Sequence, residues 1–281
     1  MPAIDGLRAI ADRFDVAILD QWGVLHDGTA PYPHAVAALE GLAAAGKRIA
    51  VLSNSGKRSD LNMARIRACG LPTDMIEVVM TSGEALWRDA ADGRLSMRRP
   101  FAVVGTPGDA ERWADGLHDV VPTTDMSAAD ALLVMGLPDG ANAADYEGTL
   151  AAARARELPV VCSNPDRLSP RADGPPIVQP GALAAEYETL GGRVAWYGKP
   201  HAPIFEAARR VFPHAAPERF VMVGDSPEHD VAGGHAAGWR TVLVRGGLHA
   251  AELDGGDESV SALCALHGAA VPDHHMEWLA W

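Results

Sequence analysis

Short runs of apolar residues, separated by longer amphipathic or alanine-rich segments, constrain the fold of this chain more than any other feature. The runs are continuous rather than alternating with polar residues, which is typical of parallel strands that are covered on both faces. The predicted strands are Val16–Leu19, Ile49–Leu52, Val78–Met80, Ala102–Val104, Leu132–Met135, Val160–Cys162, Phe220–Val223 and Thr241–Val244. The predicted helices cover residues 33–45, 58–69, 108–116, 142–157, 201–211 and 227–237. Strands and helices in this order predict an α/β fold built from right-handed crossovers around a parallel sheet.

Two irregular stretches predict where the chain divides into domains. Residues 91–100 (ADGRLSMRRP) are polar and end directly before a predicted strand, and residues 169–180 (SPRADGPPIVQP) are rich in proline. The segment between them also alternates strands and helices. We therefore predict an inserted α/β domain at residues 98–187 within a discontinuous core of residues 1–97 and 188–281. The C-terminal sequence HHMEWLAW is interpreted as a docked or frayed terminus rather than a metal site.

Composition excludes several classes of function. The formal net charge is −13, and an acidic surface repels phosphate backbones and anionic lipid, so neither nucleic acid nor a membrane is an expected partner. Three cysteines without zinc-cluster spacing favour a reducing compartment over a disulfide framework. Acidic residues interrupt the N-terminal segment, and no apolar window reaches the length of a membrane helix. These features predict a cytoplasmic protein.

Chemically capable side chains follow several of the predicted strands. Asp20 follows the first strand, Ser53 and Asn54 follow the second, and Asp225 follows the Phe220–Val223 strand. In open α/β sheets, ligands bind beyond the carboxyl ends of the strands. An isolated aspartate at such a place is often only a turn or capping residue. Together with the lysine of YGKPH, Lys199, they form a set of carboxylates, a hydroxyl and an ammonium group at one edge of the sheet.

This set of side chains predicts phosphoryl chemistry. Asp20 and Asp225 would share Mg²⁺, which prefers a few carboxylates and keeps several waters. Lys199 would neutralise phosphate charge together with the cation, while the Ser53 hydroxyl and the backbone N–H groups of Asn54 and Ser55 hold phosphate oxygens. The Asp20 carboxylate would attack phosphorus and form an aspartyl phosphate that water hydrolyses. Asp230, five residues after Asp225, is predicted to orient Lys199 or the metal shell.

The combined order of these motifs resembles the haloacid dehalogenase-like (HAD) hydrolase superfamily. GVLHDG, SN at 53–54, SNPD at 163–166, YGKP and GDSPEHD are similar to its class IIA branch, which contains NagD-like phosphatases and p-nitrophenylphosphatases. The resemblance covers residues 14–246. It implies a Rossmann-like parallel-sheet core with an inserted α/β cap of the C2 type. It also implies a Mg²⁺-dependent phosphohydrolase that acts on a small phosphorylated metabolite.

The resemblance also assigns roles to individual residues. It makes Asp20 the nucleophile and a metal ligand, with the backbone carbonyl of Trp22 and the Asp225 carboxylate as the other protein ligands. It makes Ser53 and Lys199 ligands of the phosphoryl group. Substrate contacts are expected from the cap, where the candidates are Asn164, Asp166, Arg167 and Arg171. No residue pattern decides among sugar phosphates, nucleotides, phosphoglycolate and aryl phosphates, and both a monomer and a homodimer are compatible with the resemblance.

Trp22 is the one departure from the motif. Most phosphatases that the sequence resembles have a second aspartate two residues after the nucleophile, where it protonates the leaving oxygen and then activates water. Tryptophan does neither, and general acid–base catalysis contributes about 10²–10⁴ in rate. In one hypothesis His26 or Asp27 replaces the acid, although His26 is also interpreted as a surface residue of the flap.

Two further hypotheses follow from Trp22. In one, the protein attacks carbon, as do dehalogenases of the superfamily that have an aromatic residue at this position. In the other, it binds a phosphorylated ligand and either hydrolyses it weakly or transfers the phosphoryl group to an acceptor. The GDSPEHD metal motif disfavours the carbon–halogen alternative. Trp22 is also interpreted as a buried packing residue that fills the space of the missing carboxylate and excludes water.

Overall fold

The computed structural model describes residues 1–169, 176–253 and 256–281. In this part of the chain the strands are β1 (Val16–Asp20), β2 (Arg48–Ser53), β3 (Val78–Thr81), β4 (Pro100–Val103), β5 (Ala131–Val134), β6 (Val160–Cys162), β7 (Leu168–Ser169), β8 (Ile177–Val178), β9 (Val194–Trp196), β10 (Phe220–Gly224), β11 (Arg240–Val244) and β12 (His274–Met276). The α-helices are α1 (Ala35–Ala44), α2 (Ser59–Ala68), α3 (Ser82–Ala91), α4 (Asp109–Ala114), α5 (Glu147–Ala155), α6 (Pro180–Thr189), α7 (Ala202–Val211), α8 (Ala232–Ala236) and α9 (Asp257–Leu266).

The chain forms two compact units. The first consists of Met1–Ser53, Ser59–Met80 and Lys199–Trp281, and the second of Asn54–Arg58 and Thr81–Gly198. In the first unit the sheet has the strand order β12-β11-β10-β1-β2-β3, and β1 pairs in parallel with both β10 and β2. Every residue of β1 is buried, as the continuous apolar run predicts for a central strand.

The second unit contains a parallel sheet with the order β4-β5-β6-β9 and a two-stranded antiparallel pair, β7 and β8. Helix α3 belongs to this unit, because the Trp113 side chain on α4 donates its Nε1–H to the Gly83 carbonyl over 2.8 Å. The unit therefore extends beyond the predicted segment of 98–187 at both ends, since it also includes α3 and β9. As domain limits, 98–187 remains a prediction.

The two parallel sheets with their helices confirm the predicted α/β fold class. All the apolar runs that we interpreted as strands lie in strands, with ends that shift by one or two residues. Polar strand β12 was not predicted; it pairs with β11, and Trp281 packs on the core of the first unit, so the C-terminal segment is docked. Arg171 lies outside the described residues.

Helices α3, α6 and α9 were also missed, although α3 begins with a recognisable signal. Thr81 accepts a hydrogen bond from the Glu84 backbone N–H at 2.9 Å, as a threonine three residues before a glutamate predicts for a helix start. The three cysteines are buried and free. Among the described residues, no helix is both long enough and apolar enough to cross a membrane.

Candidate active site

The sheet of the first unit brings the predicted catalytic residues to one edge. Asp20 is the last residue of β1, and Asp225 directly follows the neighbouring strand β10. Ser53 ends β2 on the other side of β1, where Leu52 lies opposite Asp20. Because the carboxyl ends of parallel strands meet at the same edge, these side chains are placed together as the sequence predicts.

Lys199 connects two of the carboxylates. Its ammonium group donates to Asp20 Oδ1 over 2.5 Å and to Asp230 Oδ1 over 2.7 Å, and its side chain is only 4% exposed. Burial by itself lowers the pKa of Lys199, but the charges of Asp20 and Asp230 outweigh it and raise this pKa above its ordinary value. Lys199 is therefore a permanent cation at the site.

Asp230 is held from two sides. It accepts the Lys199 ammonium and the Ser226 backbone N–H, the latter at 3.1 Å on Oδ2. A π-helical turn, Pro227–Val231, carries Asp230 towards the strand that ends at Gly224. A β-carbon at Gly224 would lie only 2.0 Å from Asp230 Cγ, so this glycine leaves the room that Asp230 occupies.

Asp225 is enclosed by backbone. Its Oδ2 accepts the Leu248 backbone N–H at 2.7 Å. A β-carbon would lie 1.7 Å from Oδ2 at Gly23, whose φ is +79°, and 2.3 Å from it at Gly247. The sequence reasoning did not predict a role for these two glycines. Their positions within GVLHDG and RGGLH were the available sequence signal.

Within the part of the chain that the structure describes, three carboxylates cluster around one ammonium group at this edge. Ligand oxygens of Asp20, Asp225 and Asp230 lie within 4.8 Å of one another, and all three residues are buried. Burial and the charge of Asp230 raise the pKa of Asp225 to about 7. Burial also raises the pKa of Asp20, with Lys199 opposing and the other two carboxylates adding to the increase. Three crowded carboxylates and one ammonium fit a divalent cation, whose oxygen ligands are typically carboxylates.

Trp22 is not buried, and the interpretation that its indole fills the space of a missing carboxylate is wrong. The side chain is 47% exposed. Its ring meets the His26 ring edge-on at a centroid distance of 5.2 Å, and a β-carbon at Gly28 would lie 2.4 Å from its Cη2. The Arg65 guanidinium lies 5.8 Å from the ring centroid. The indole therefore lies over the loop that follows Asp20, with a large part of its surface open.

His26 is buried, so its interpretation as a surface residue is also wrong. The Gly28 backbone N–H donates to Nδ1 over 2.9 Å, which places the proton of the neutral ring on Nε2. His26 Nε2 lies 3.1 Å from the Gln21 amide nitrogen, and two N–H donors cannot bond to each other. We therefore assign the amide with Oε1 facing Nε2. Both ring nitrogens are engaged, which disfavours His26 as the replacement acid.

Asp27 is also engaged by its own loop. Its Oδ1 accepts the backbone N–H groups of Thr29 and Ala30, both at 2.8 Å, and the Thr29 hydroxyl at 2.7 Å. These hydrogen bonds, first those from the backbone of Ala30 and from Thr29, lower the pKa of Asp27 to about 2. At neutral pH Asp27 is an ionised turn residue, which disfavours it as a proton donor.

The buried His26 predicts a specific pH dependence of stability. Burial, with a smaller contribution from Arg65, lowers its pKa from 6.5 to about 4. Because the folded state prefers the neutral ring, the stabilisation is present above pH 6.5 and is lost as the pH falls from 6.5 to 4. Over this range we expect the wild type to lose about 2 kcal/mol more than His26→Gln, after an allowance for solvent screening.

Urea unfolding at pH 7, 5.5 and 4 measures this difference. His214→Gln, which replaces an exposed histidine of the same unit, is the matched control and should follow the wild type. Parallel pH profiles for the wild type and His26→Gln would contradict the prediction.

The remaining predicted site residues lie in the second unit. The Asn54 side chain donates from Nδ2 to Asp166 Oδ1 over 2.7 Å, and the Asp166 backbone N–H donates to Asn164 Oδ1 over 2.9 Å. The structure thus joins Asn54 to Asn164 and Asp166, which lie more than a hundred residues later in the sequence. Ser55 accepts the Gly83 backbone N–H through its carbonyl at 3.1 Å, and the Arg167 side chain is exposed. Their roles towards a ligand remain predictions.

Comparison with known proteins decides the family. The model described as haloacid dehalogenase-like hydrolase matches residues 17–115, and the HAD-hydrolase-like model matches residues 196–264. Chronophin from Bos taurus is 31% identical over 283 residues, which cover 98% of this chain and 94% of chronophin. The chain belongs to the haloacid dehalogenase-like hydrolase family. The predicted class IIA branch and the predicted enzyme class are confirmed for this HAD-like hydrolase, whose relatives include named phosphatases.

Solved structures show the same fold. A haloacid dehalogenase-like hydrolase from Brucella suis 1330 is 33% identical, with a TM-score of 0.78 over 88% of this chain and 95% of that one. A p-nitrophenyl phosphatase from Archaeoglobus fulgidus is 27% identical, with a TM-score of 0.75 over 95% of this chain and 97% of that one. The HAD-like hydrolase is therefore similar to them over nearly its whole length.

Proposed function

We propose that this HAD-like hydrolase is a Mg²⁺-dependent phosphatase that acts on a small phosphorylated metabolite through Asp20. One observation carries the proposal: the buried Asp20 carboxylate lies at the end of the central strand, bonded to Lys199 and close to Asp225 and Asp230. The similarity to a named p-nitrophenyl phosphatase supports the same reaction class. Neither a nucleic acid nor a membrane is part of the proposal.

The residues that would hold the cation are Asp20, Asp225 and the backbone carbonyl of Trp22. When bound, Mg²⁺ would draw negative charge away from the phosphate and from the carboxylates. Asp230 would act through its bond to Lys199, which keeps the ammonium group beside Asp20. This division of roles explains why Asp230 is enclosed by protein groups on both oxygens.

The chain's own groups would carry the reaction in two steps. A carboxylate oxygen of Asp20 attacks phosphorus, an O–P bond forms, and the ester bond breaks with its electron pair on the leaving oxygen. Lys199 neutralises phosphate charge, and the Ser53 hydroxyl donates to a phosphate oxygen. Water then cleaves the aspartyl phosphate, which releases inorganic phosphate and restores the Asp20 carboxylate.

Dependence on the cation tests the proposal directly. We expect Mg²⁺ to increase phosphate release by about 10²-fold or more over release with a chelator, because a metal ion contributes several kcal/mol of charge stabilisation. The assay measures phosphate release from p-nitrophenyl, acetyl, sugar and nucleotide phosphates. Asp225→Asn should lose the response to Mg²⁺, whereas Asp15→Asn, which changes an exposed aspartate of the same unit, should keep it.

The same assay separates the alternatives. Equal release with Mg²⁺ and with chelator would contradict the metal-dependent mechanism. Halide release from a 2-haloacid without phosphate release would favour the carbon–halogen alternative. Phosphate binding without turnover would favour a binding or transfer protein.

A further inference from the structure

The exposed indole of Trp22 contacts its own loop and helix α2. Its edge contact is with the His26 ring, which is itself fixed through Gln21 and Gly28. Gly28 has a φ of +97° and approaches the six-membered ring so closely that no β-carbon would fit between them. The Arg65 guanidinium adds a third contact. A large aromatic surface, 47% exposed, thus lies two residues after Asp20.

A second aromatic pair lies near Asp225, the other proposed metal-binding carboxylate. Tyr32 stacks on Trp278 with a centroid distance of 5.2 Å and an interplanar angle of 26°, and both residues are half-buried. Trp278 covers Gly246, where a β-carbon would lie 2.6 Å from its ring, and the next residue, Gly247, packs against Asp225. Burial and the negative charge of Asp225 raise the pKa of Tyr32. Aromatic rings therefore flank both chain segments that enclose the carboxylates.

We propose that Trp22 is a specificity-determining residue that stacks on the leaving group of an aromatic phosphate ester. The inference rests on the proposed phosphatase function and names its substrate class. Aromatic rings in contact gain about 0.5–1.5 kcal/mol beyond the burial of their area. Neither an aliphatic alcohol nor an acyl group presents a flat π surface to the indole.

The leaving group chemistry agrees with the position of Trp22. When Asp20 attacks an aryl phosphate, the electron pair of the broken P–O bond goes to a phenolate oxygen. A phenolate is stabilised by its ring and departs without prior protonation, then takes a proton from water. Such a leaving group needs no acid. It therefore suits a site where His26 and Asp27, the two candidate acids of the loop 21–32, are both engaged in hydrogen bonds.

Binding of two phosphonates tests the inference without turnover. Phenylphosphonate and methylphosphonate carry the same anionic head and differ in the aromatic ring. By calorimetry with Mg²⁺ present, we expect the wild type to bind phenylphosphonate about tenfold more tightly than methylphosphonate. The preference should fall to about twofold or less in Trp22→Ala and return in Trp22→Phe. Leu266→Ala, which changes another large apolar residue that is 79% exposed in the same unit, should keep it.

Kinetics with matched substrates gives the second readout. Acetyl phosphate has a good leaving group without an aromatic ring, so it is the control for p-nitrophenyl phosphate. Trp22→Ala should raise KM for p-nitrophenyl phosphate about tenfold with a smaller change in kcat, and it should change KM for acetyl phosphate less than twofold. Equal phosphonate affinities in the wild type, or equal KM changes for both substrates, would overturn the inference. Absence of phosphate release from either substrate would instead contradict the proposed function.

Discussion

Replacing Asp20 with asparagine is expected to reduce phosphate release by about 10³-fold or more with every substrate. An amide is neutral, and its oxygen is therefore a much weaker nucleophile than the charged carboxylate oxygen. The folded structure should survive, because burial, Asp230 and Asp225 all disfavour the ionised form of Asp20. Lys199 also keeps its bond to Asp230. The measurement is single-turnover and steady-state phosphate release, with urea unfolding of the same preparation.

The control for this variant is Asp15→Asn, which changes an exposed aspartate of the same unit whose partner is the half-buried Arg219. It should retain wild-type activity. An Asp20→Asn variant that keeps its stability and more than a tenth of the activity would contradict the role of Asp20. A variant that loses stability and activity together would be replaced in the test by Asp20→Glu, which keeps the charge but shifts the oxygen.

Replacing Lys199 with methionine is expected to lower the free energy of unfolding by about 3–5 kcal/mol and to abolish phosphate release. Breaking a buried ion pair by removing one partner leaves uncompensated charge in the interior. Here two carboxylates, Asp20 and Asp230, lose their cation at 2.5 and 2.7 Å. Methionine keeps much of the length of the aliphatic chain, so the loss comes mainly from charge rather than from a cavity. Urea unfolding at pH 7 measures the change.

The exposed pair of Asp15 and Arg219 again gives a matched comparison. Arg219→Met removes a cation that also has a carboxylate partner, but at the surface, where water replaces the interaction. It should cost far less stability than Lys199→Met. Added Mg²⁺ should recover part of the stability of Lys199→Met, because a cation near Asp20 would replace some of the missing positive charge. Equal losses of unfolding free energy in Lys199→Met and Arg219→Met would contradict the prediction that burial makes the Lys199 ion pairs costly to break.

The sequence predicted the fold where the physical signal was local and strong. Continuous apolar runs such as Val16–Leu19 form central strands, because only a strand covered on both faces tolerates such a run. The carboxyl ends of β1 and β10 then place Asp20 and Asp225 together. The short strands β7 (Leu168–Ser169) and β12 (His274–Met276) contain no continuous apolar run and have no comparable signal. Their pairing depends on neighbouring strands rather than on their own composition.

The surroundings of the candidate site were less predictable. Burial of His26 depends on the Gln21 amide and on the close approach of Gly28, and neither contact is visible in the pattern of the sequence. Exposure of Trp22 follows from the same loop geometry, and tryptophan is more often buried. Sequence reasoning therefore identified which residues gather at the sheet edge, whereas tertiary packing decided the environment of the loop that follows Asp20.

Glycine backbone, rather than side chains, lies against two of the three clustered carboxylates. Gly23 and Gly247 approach Asp225, and Gly224 approaches Asp230, at distances that leave no room for a methyl group. At these three glycine positions any larger residue would collide with a carboxylate, so the wall cannot move inwards there. Natural variation or protein engineering around Asp20 would therefore act through positions with replaceable side chains, such as Trp22 in the loop after β1 and its neighbour Arg65 on α2.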